Sequence, residues 1–375
     1  MKSGFTWNED WVDLESKPND PQLLCSLKAL SILGKEKGVD FCSAKPVALS
    51  DANVSLSSSV RHFAFSTGGT SGKPARVIHS TDTLASAVDA LEKTVGPGPL
   101  SSICCLPVRH LGGWMQVFRA IRTGGCVFFC SYRDLAQERM GQKLMGRWLS
   151  LVPTQLFQLV KSGRALENLR KARGIFVGGG PLRPDLAKKC REEAIPVWPT
   201  YGLSETAGMV TLLKADDFLN GREGVGQAMP HADLLLSEGE RKILIRTESL
   251  CLAKPPKVFD SGESFQSEDF GEVDAEGYWK ILGRADRTII TGGEKVDPAL
   301  VEKAILETGL VEECVVIGKE DTKWGQVVTA YLSPYGVPLG KVQEITKNTL
   351  QGPCYPKKWV TTEKLPVSEM GKPLG

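Results

Sequence analysis

The sequence predicts an α/β fold in three parts: a large N-terminal domain of helix-covered, mainly parallel sheets, a small β-rich subdomain within it, and an α+β unit at the C-terminal end. Three observations carry this. From His62 to Trp198, short apolar runs alternate with helix-patterned segments, the rhythm of a parallel sheet covered by helices. After about Thr211 the chain changes to short alternating runs separated by turn residues, as in Ser237-Glu238-Gly239 and Asp274-Ala275-Glu276-Gly277. Near Arg287 a new segment begins, with a helix and strands of its own. A length of 375 residues agrees, since it exceeds what one small core absorbs.

In chain order, residues 1–60 open with Trp7 and Trp11, then a helix expected around 23–33, then a polar stretch ending in Leu56-Ser57-Ser58-Ser59. Residues 63–65 read as a short strand, and Ser80-Thr81 cap a helix running through Leu91. Strands are expected at 103–108, 127–130, 149–152, 175–177 and 196–198. Helices are expected at 114–121, 135–148, 154–160 and 185–193. In the β-rich part, strands fall at 233–236, 242–245, 258–259 and 278–282. The last unit starts a helix with Asp297 as N-cap and Pro298 at the first helical position. Strands at 314–317 and 327–332 and a helix through Leu350 complete it.

Composition excludes several classes. Hydrophobic content of 41% and charged content of 24% are ordinary for a soluble globular chain. A net charge of +2, from 46 basic and 44 acidic residues, offers no nucleic-acid surface or membrane patch. The N-terminal residues lack an apolar core segment of a signal peptide, and no apolar run reaches the length of a membrane span. The ten cysteines are scattered and form no C-x-x-C pair, so reduced thiols in a cytoplasmic protein are expected. Four histidines without clustered spacing argue against a zinc site.

The run at 63–65 leads straight into Ser66-Thr67-Gly68-Gly69-Thr70-Ser71-Gly72-Lys73-Pro74. Glycines turn backbone N–H groups inward to make an anion nest, hydroxyls donate to phosphate oxygens, and Lys73 adds a point charge. The stretch is a polyphosphate loop of a different kind from the common P-loop. That pattern needs glycine at Thr67 and a hydroxyl residue at Pro74.

Four further stretches join it: Tyr201-Gly202-Leu203-Ser204-Glu205-Thr206, Phe265-Gln266-Ser267-Glu268-Asp269-Phe270-Gly271, Gly283-Arg284-Ala285-Asp286-Arg287 and Leu365-Pro366-Val367-Ser368-Glu369-Met370-Gly371-Lys372. Singly, Asp269 and Asp286 read as turn residues, Glu205 as a helix N-terminal charge and Lys372 as a solvated lysine. In this order and spacing the five stretches resemble the adenylate-forming enzymes: acyl- and aryl-CoA ligases, luciferases and nonribosomal adenylation domains. The resemblance covers roughly residues 60–375.

It implies an acid–thiol ligase using ATP, Mg²⁺ and coenzyme A. Thr67, Gly68, Gly69, Thr70, Ser71, Gly72 and Lys73 would hold the β- and γ-phosphates. Glu205 would hold the metal, and Asp269 with Arg284 the ribose. Tyr201 and the backbone of Gly178, Gly179 and Gly180 would flank adenine, with Gly202, Ser204 and Thr206 completing the nucleotide edge. Lys372 would bridge the reacting carboxylate and the α-phosphate. Asp286 matches the hinge of a mobile C-terminal lid, which gives residues 1–283 as the adenylation domain, 284–286 as hinge and 287–375 as lid. Gly292, Gly293 and Lys295 would border the coenzyme A channel.

Within the family, Leu106-Pro107-Val108-Arg109-His110-Leu111-Gly112-Gly113, Val152-Pro153-Thr154-Gln155-Leu156 and Phe176-Val177-Gly178-Gly179-Gly180-Pro181-Leu182 resemble the branch that joins o-succinylbenzoate to coenzyme A for menaquinone synthesis. Arg109, His110, Thr154 and Gln155 are the candidates for a substrate with a second carboxylate, and His110 is also a catalytic candidate. Departures from the family pattern are a short region ahead of the phosphate loop, Ala75 where a lysine is usual, and an end three residues after Lys372. Another aryl or fatty acyl-CoA ligase, or a catalytically idle adenylate-binding homologue, are the alternatives. The expected partners are small molecules, with neither nucleic acid nor membrane insertion and with a homodimer left open.

Overall fold

The computed structural model describes residues 11–13, 41–43, 62–67, 75–108, 110–333 and 336–367. The expected helix at 23–33 lies outside them. The largest sheet has eight strands in the order β11-β10-β9-β8-β7-β5-β6-β2. These are β2 (Phe41–Ser43), β5 (Ser102–Cys104), β6 (Val127–Phe129), β7 (Trp148–Leu151), β8 (Gly174–Val177), β9 (Val197–Leu203), β10 (Gly208–Leu212) and β11 (Gln227–Ala228). From β2 to β9 every pairing is parallel, and β10 and β11 add an antiparallel edge. A sheet with helices on both faces is apolar on both faces. Trp148 and Phe176 face a core that also holds Phe63, Phe65, Trp114 and Phe118. Leu149, Leu151, Ile175, Val177 and Val197 face a second core built with Leu156, Leu159 and Leu186.

A second sheet runs β1-β3-β4-β14-β15, made of β1 (Trp11–Asp13), β3 (His62–Thr67), β4 (Ala75–Ser80), β14 (Ala253–Lys254) and β15 (Lys257–Val258). The strand before the glycine-rich run is not part of the parallel sheet. β3 pairs antiparallel with β4, from His62↔Ser80 to Thr67↔Ala75, so the run joins two strands of a hairpin. β4 escaped notice because Arg76 and His79 interrupt its apolar pattern. Ser80 still caps the Thr81–Val95 helix, exchanging hydrogen bonds with Thr83. The strand expected at 258–259 also belongs to this sheet, since Ala253 pairs with Ile78.

The third sheet, β12-β13-β16-β17, is wholly antiparallel: β12 (Ala232–Leu236), β13 (Lys242–Thr247), β16 (Ser264–Val273) and β17 (Trp279–Arg284). The fourth belongs to the C-terminal unit: β18 (Ile289–Thr291), β19 (Glu294–Val296), β20 (Cys314–Asp321), β21 (Gly325–Leu332) and β22 (Lys358–Thr361). Its Pro298–Glu307 helix begins as expected, with the Asp297 carboxylate accepting from the Ala299 N–H at 2.9 Å.

Two other expectations fail, one where a distant side chain reaches in and one at a proline. The helix expected at 135–148 is a 3-10 turn Tyr132–Ala136 and a short helix Met140–Leu144, after which Trp148 starts β7. The Asn168 amide takes the carbonyls of Leu135 and Gln137 at 2.8 and 2.9 Å, and Gly146 sits at φ +70. Gln137 is extended there, at φ −84 and ψ 144, which ends the helical path. The strand expected to reach 108 stops at Cys104, because Pro107 has no N–H for the ladder and its carbonyl accepts from the His110 N–H at 3.0 Å. Among the described residues, no helix is long and apolar enough to cross a membrane.

Candidate active site

β9 ends at the carboxyl edge of the parallel strands, where ligands of such sheets bind. The chain turns back there through the 3-10 turn Ser204–Thr206, then Ala207 at φ +52, into β10. Gly202 is required, since a Cβ would sit 1.9 Å from the Gly208 carbonyl oxygen. The Thr206 hydroxyl accepts from the Leu203 N–H at 3.0 Å and donates to the Gly208 carbonyl at 2.8 Å. Ser249 donates to the Thr206 carbonyl at 2.8 Å, and the Cys251 N–H donates to the Glu205 carbonyl at 2.7 Å. The turn is therefore held from the distant segment 249–251.

His79 holds it from a second. Its Nε2 lies 2.8 Å from the Ser204 carbonyl and its Nδ1 lies 3.0 Å from the Thr83 hydroxyl. Burial lowers its pKa to about 4, against the opposing pull of the Ser204 carbonyl and Glu205. The ring is neutral at pH 7, and the carbonyl partner fixes the proton on Nε2.

Glu205 itself is buried, and its Oε1 meets Lys254 Nζ at 2.7 Å. A buried carboxylate calls for a cation, and β14 supplies it. Sequence reading missed both Lys254 and His79. The first stands 49 residues from its partner and the second 125, so no spacing pattern connects them. No sequence signal points to either, because the burial of Glu205 that calls for a cation is set by the fold.

A second carboxylate organises the neighbouring edge. β16 and β17 pair Asp269 with Arg284. Asp269 is 3% exposed. Its Oδ1 accepts from Arg284 at 2.9 Å and its Oδ2 from the Tyr201 hydroxyl at 2.9 Å. Arg284 also forks onto Asp286 through Nε and a terminal nitrogen, at 2.8 and 2.7 Å. Burial raises the Asp269 pKa, while Arg284 and Tyr201 pull it down. Burial pushes the Tyr201 phenol well above its ordinary range, and Asp269 adds to this. Burial works against the Arg284 charge, but Asp286 and Asp269 outweigh it and hold its pKa above the ordinary value. The Tyr201 ring packs with Val210, Ala232, Ile243 and Ile245, so its polar tip, more than its face, is what the site uses.

The remaining candidates divide. Gly178, Gly179 and Gly180 follow β8, the strand beside β9. A Cβ on Gly178 would lie 2.4 Å from the Thr200 hydroxyl, and Gly179 sits at φ +79. Thr154 is exposed on the first turn of the Pro153–Leu159 helix. Gln155 turns back on its own backbone, its Oε1 accepting from the Val152 N–H at 3.3 Å. This bond caps the start of the helix. His110 is half-buried at the N-cap of the Leu111–Thr123 helix.

Gly292 (φ +60) and Gly293 (φ +86) form the two-residue turn of the β18–β19 hairpin, where both positions need positive φ. Lys295 follows on β19, in the C-terminal sheet. Gly68, Gly69, Thr70, Ser71, Gly72, Lys73, Arg109 and Lys372 lie outside the described residues. Of Thr67, only its place in β3 is described. Among the described residues, no cluster of three His, Cys, Asp or Glu side chains could hold a metal by themselves.

Comparison with known proteins gives a consistent picture. The profile of the AMP-binding enzyme family matches residues 44–248, and that of the AMP-binding enzyme C-terminal domain matches residues 300–372. The 2-succinylbenzoate–CoA ligase of Listeria monocytogenes is 29% identical over 339 residues, covering 87% of this chain and 70% of the relative. The o-succinylbenzoate CoA synthetase of Bacillus subtilis, in complex with the acyl-adenylate intermediate OSB-AMP, superposes with a TM-score of 0.71 at 25% identity, covering 83% of this chain and 67% of that one. The same enzyme in complex with ATP and magnesium ion gives 0.70 at 25% identity, covering 83% and 68%.

Proposed function

The chain belongs to the AMP-binding enzyme family, and from that premise we propose that it is an ATP- and Mg²⁺-dependent ligase joining an acid to coenzyme A. The proposed acid is o-succinylbenzoate. One observation carries the reading: the buried Asp269 carboxylate is joined to Tyr201, four residues before Glu205, and through Arg284 to Asp286. That chain of contacts ties the end of the parallel sheet, the β-rich subdomain and the start of the C-terminal unit to one centre. The relatives' names and bound molecules support the choice of reaction and acid.

In the proposed first step, an oxygen of the acid attacks the α-phosphorus of ATP and pyrophosphate leaves. Charge builds on phosphate oxygens, so the protein's task is orientation and charge stabilisation. Each Asp269 oxygen accepts one hydrogen bond within the protein, which leaves acceptor capacity on both for the two ribose hydroxyls. Arg284 fixes the plane of that carboxylate. Glu205 is the proposed metal ligand. The fit is good: it is a buried hard oxygen donor that already draws a cation to 2.7 Å. Bound there, Mg²⁺ would offset the charge of the phosphates. Lys254, His79 and the Ser249 hydroxyl hold the Glu205 turn in one position. Gly179, Gly180, Gly202, Ser204 and Thr206 are the proposed nucleotide edge. Thr67 to Lys73 are proposed for the departing pyrophosphate, and Lys372 for the charge at the α-phosphate.

In the proposed second step, the C-terminal unit turns about Asp286 and withdraws Lys372. The thiol of coenzyme A, between Gly292, Gly293 and Lys295, attacks the acyl carbon and AMP leaves. The Arg284–Asp286 pair supports a hinge there, because the residue that fixes Asp269 also holds the junction. Residues 1–283, 284–286 and 287–375 are the proposed division. Arg109, His110 and Thr154, with the free amide end of Gln155, are proposed for the acid. The reading includes a cytoplasmic location, favoured by the free thiols among the described cysteines. It also carries a homodimer, which light scattering tests.

The test is product analysis with ATP, Mg²⁺, coenzyme A and, separately, o-succinylbenzoate, benzoate and palmitate. We expect AMP and a coenzyme A thioester with o-succinylbenzoate. A thioester with only benzoate or palmitate would replace the proposed acid. No AMP with any acid would favour the idle homologue.

A further inference from the structure

We propose that Cys105 and Cys130 form a peroxide-oxidisable dithiol site that closes to a reversible disulfide. β5 and β6 run parallel, with Cys104 opposite Phe129. One residue further, Cys105 and Cys130 stand side by side just past the carboxyl ends of both strands. The ladder continues there, since the Cys130 N–H donates to the Cys104 carbonyl at 3.2 Å. The two Sγ atoms are 3.7 Å apart, within range of a thiol–sulfur hydrogen bond. Neighbouring strands lie about 4.8 Å apart, and disulfides span Cα separations of roughly 4.4–6.8 Å. Bridging therefore needs side-chain rotation and a modest approach of the sulfurs, with the sheet left intact.

Alternation along the strand makes the pair selective. Cys104 points to the opposite face, where it is 2% exposed and its thiol donates to the Leu106 carbonyl at 3.3 Å. Burial pushes its pKa up to about 12, and does the same to Cys190 and Cys251. Cys105 and Cys130 are only half-buried. With Cys105 as donor, the hydrogen bond raises its own pKa and lowers that of Cys130, which Arg139 assists and burial and Asp134 oppose. The thiolate is the nucleophile, so Cys130 attacks first.

The step balances with hydrogen peroxide as the oxidant. The Cys130 sulfur attacks one peroxide oxygen, the O–O bond breaks, and the other oxygen leaves as water. The Cys105 sulfur then displaces the hydroxyl from the Cys130 sulfenic acid, releasing a second water. Two thiols are oxidised and one peroxide is reduced. The bridge would tie the end of β6 to the segment that leads from Cys105 to His110.

The test treats the full chain with hydrogen peroxide, blocks remaining thiols and maps the peptides by mass spectrometry, beside Cys105→Ser and Cys130→Ser. We expect loss of the mass of two hydrogens, one cross-link between the peptides carrying Cys105 and Cys130, and full reversal by dithiothreitol. Cys105→Ser should form no bridge and should trap dimedone at Cys130. Three results overturn the proposal: a bridge persisting in Cys105→Ser through Cys104, a bridge to any other cysteine, or no bridge in the parent chain. The parent chain decides the last of these without any variant needing to fold.

Discussion

The turn at Glu205 and the hairpin at Gly292 both carry residues that the sequence marks for ligand binding, yet they are held in opposite ways. Around Glu205 and Asp269 the partners come from far along the chain: His79, Ser249, Lys254 and Arg284. Around Gly292 the constraints are the backbone of a two-residue turn and one apolar neighbour, the Trp324 ring, which a Cβ would approach to 2.7 Å. The first region is a preorganised polar centre, and preorganisation is what electrostatic catalysis requires. The second is a backbone shape that asks for glycine whether or not a ligand comes near. Changes to the first should strike chemistry, and changes to the second should strike local stability.

The largest expected effect follows from Asp269→Ala. It removes the acceptor of Tyr201 and Arg284 and the proposed ribose contact together. Pyrophosphate release should fall on the order of 10²–10³-fold, as for loss of one preorganised group at a charged transition state. Steady-state rates at saturating acid check this. A loss under tenfold would mean that the centre is structural.

Acid sharpens the comparison next. All four histidines precede Asp286, so the sheet of β18–β22 and its helices have none. Burial depresses the pKa of His79 from 6.5 to about 4, and His231 shifts in the same way. A depressed folded-state pKa means that the unfolded chain binds the proton more readily. Stability is thus complete above about pH 6.5 and is lost as the pH falls towards 4. For His79 alone that amounts to on the order of 3 kcal/mol. Hydrogen exchange followed across this range should open the N-terminal domain before the sheet of β18–β22. The reverse order would contradict the assignment.

Glu205→Gln should act more narrowly. It keeps the shape of the side chain but removes the charge that Lys254 meets. The Mg²⁺ concentration needed for half-maximal pyrophosphate release should rise about tenfold, a difference of roughly 1.4 kcal/mol. Calorimetric binding of MgATP should weaken in parallel. An unchanged Mg²⁺ requirement would remove Glu205 from the metal site.

Gly292→Ala should have the smallest effect on chemistry. A left-handed residue with a Cβ costs about 1–2 kcal/mol, and the Trp324 ring must shift. The thermal midpoint should fall while pyrophosphate release stays within about twofold, far below the effect of Asp269→Ala. Slowed thioester formation from supplied acyl-adenylate would support the proposed coenzyme A channel.

The same contrast explains what was legible in the sequence. Local signals read well: Ser80 and Asp297 cap their helices, and the change to an antiparallel sheet after Thr211 is real. The resemblance named Asp269 and Arg284 together, and cross-strand register brings the two into contact. What failed depended on distant partners. Asn168 reaches back to interrupt an expected helix, and β4 is a strand because β3 and β14 flank it. Lys254 carries no motif of its own, and only the fold brings it to Glu205.

Isotope exchange between labelled pyrophosphate and ATP, without coenzyme A, tests adenylation of an acid at the Glu205–Asp269 centre most directly. Exchange should require both Mg²⁺ and o-succinylbenzoate and should collapse in Asp269→Ala. Exchange absent with every acid, or undiminished in that variant, would contradict it.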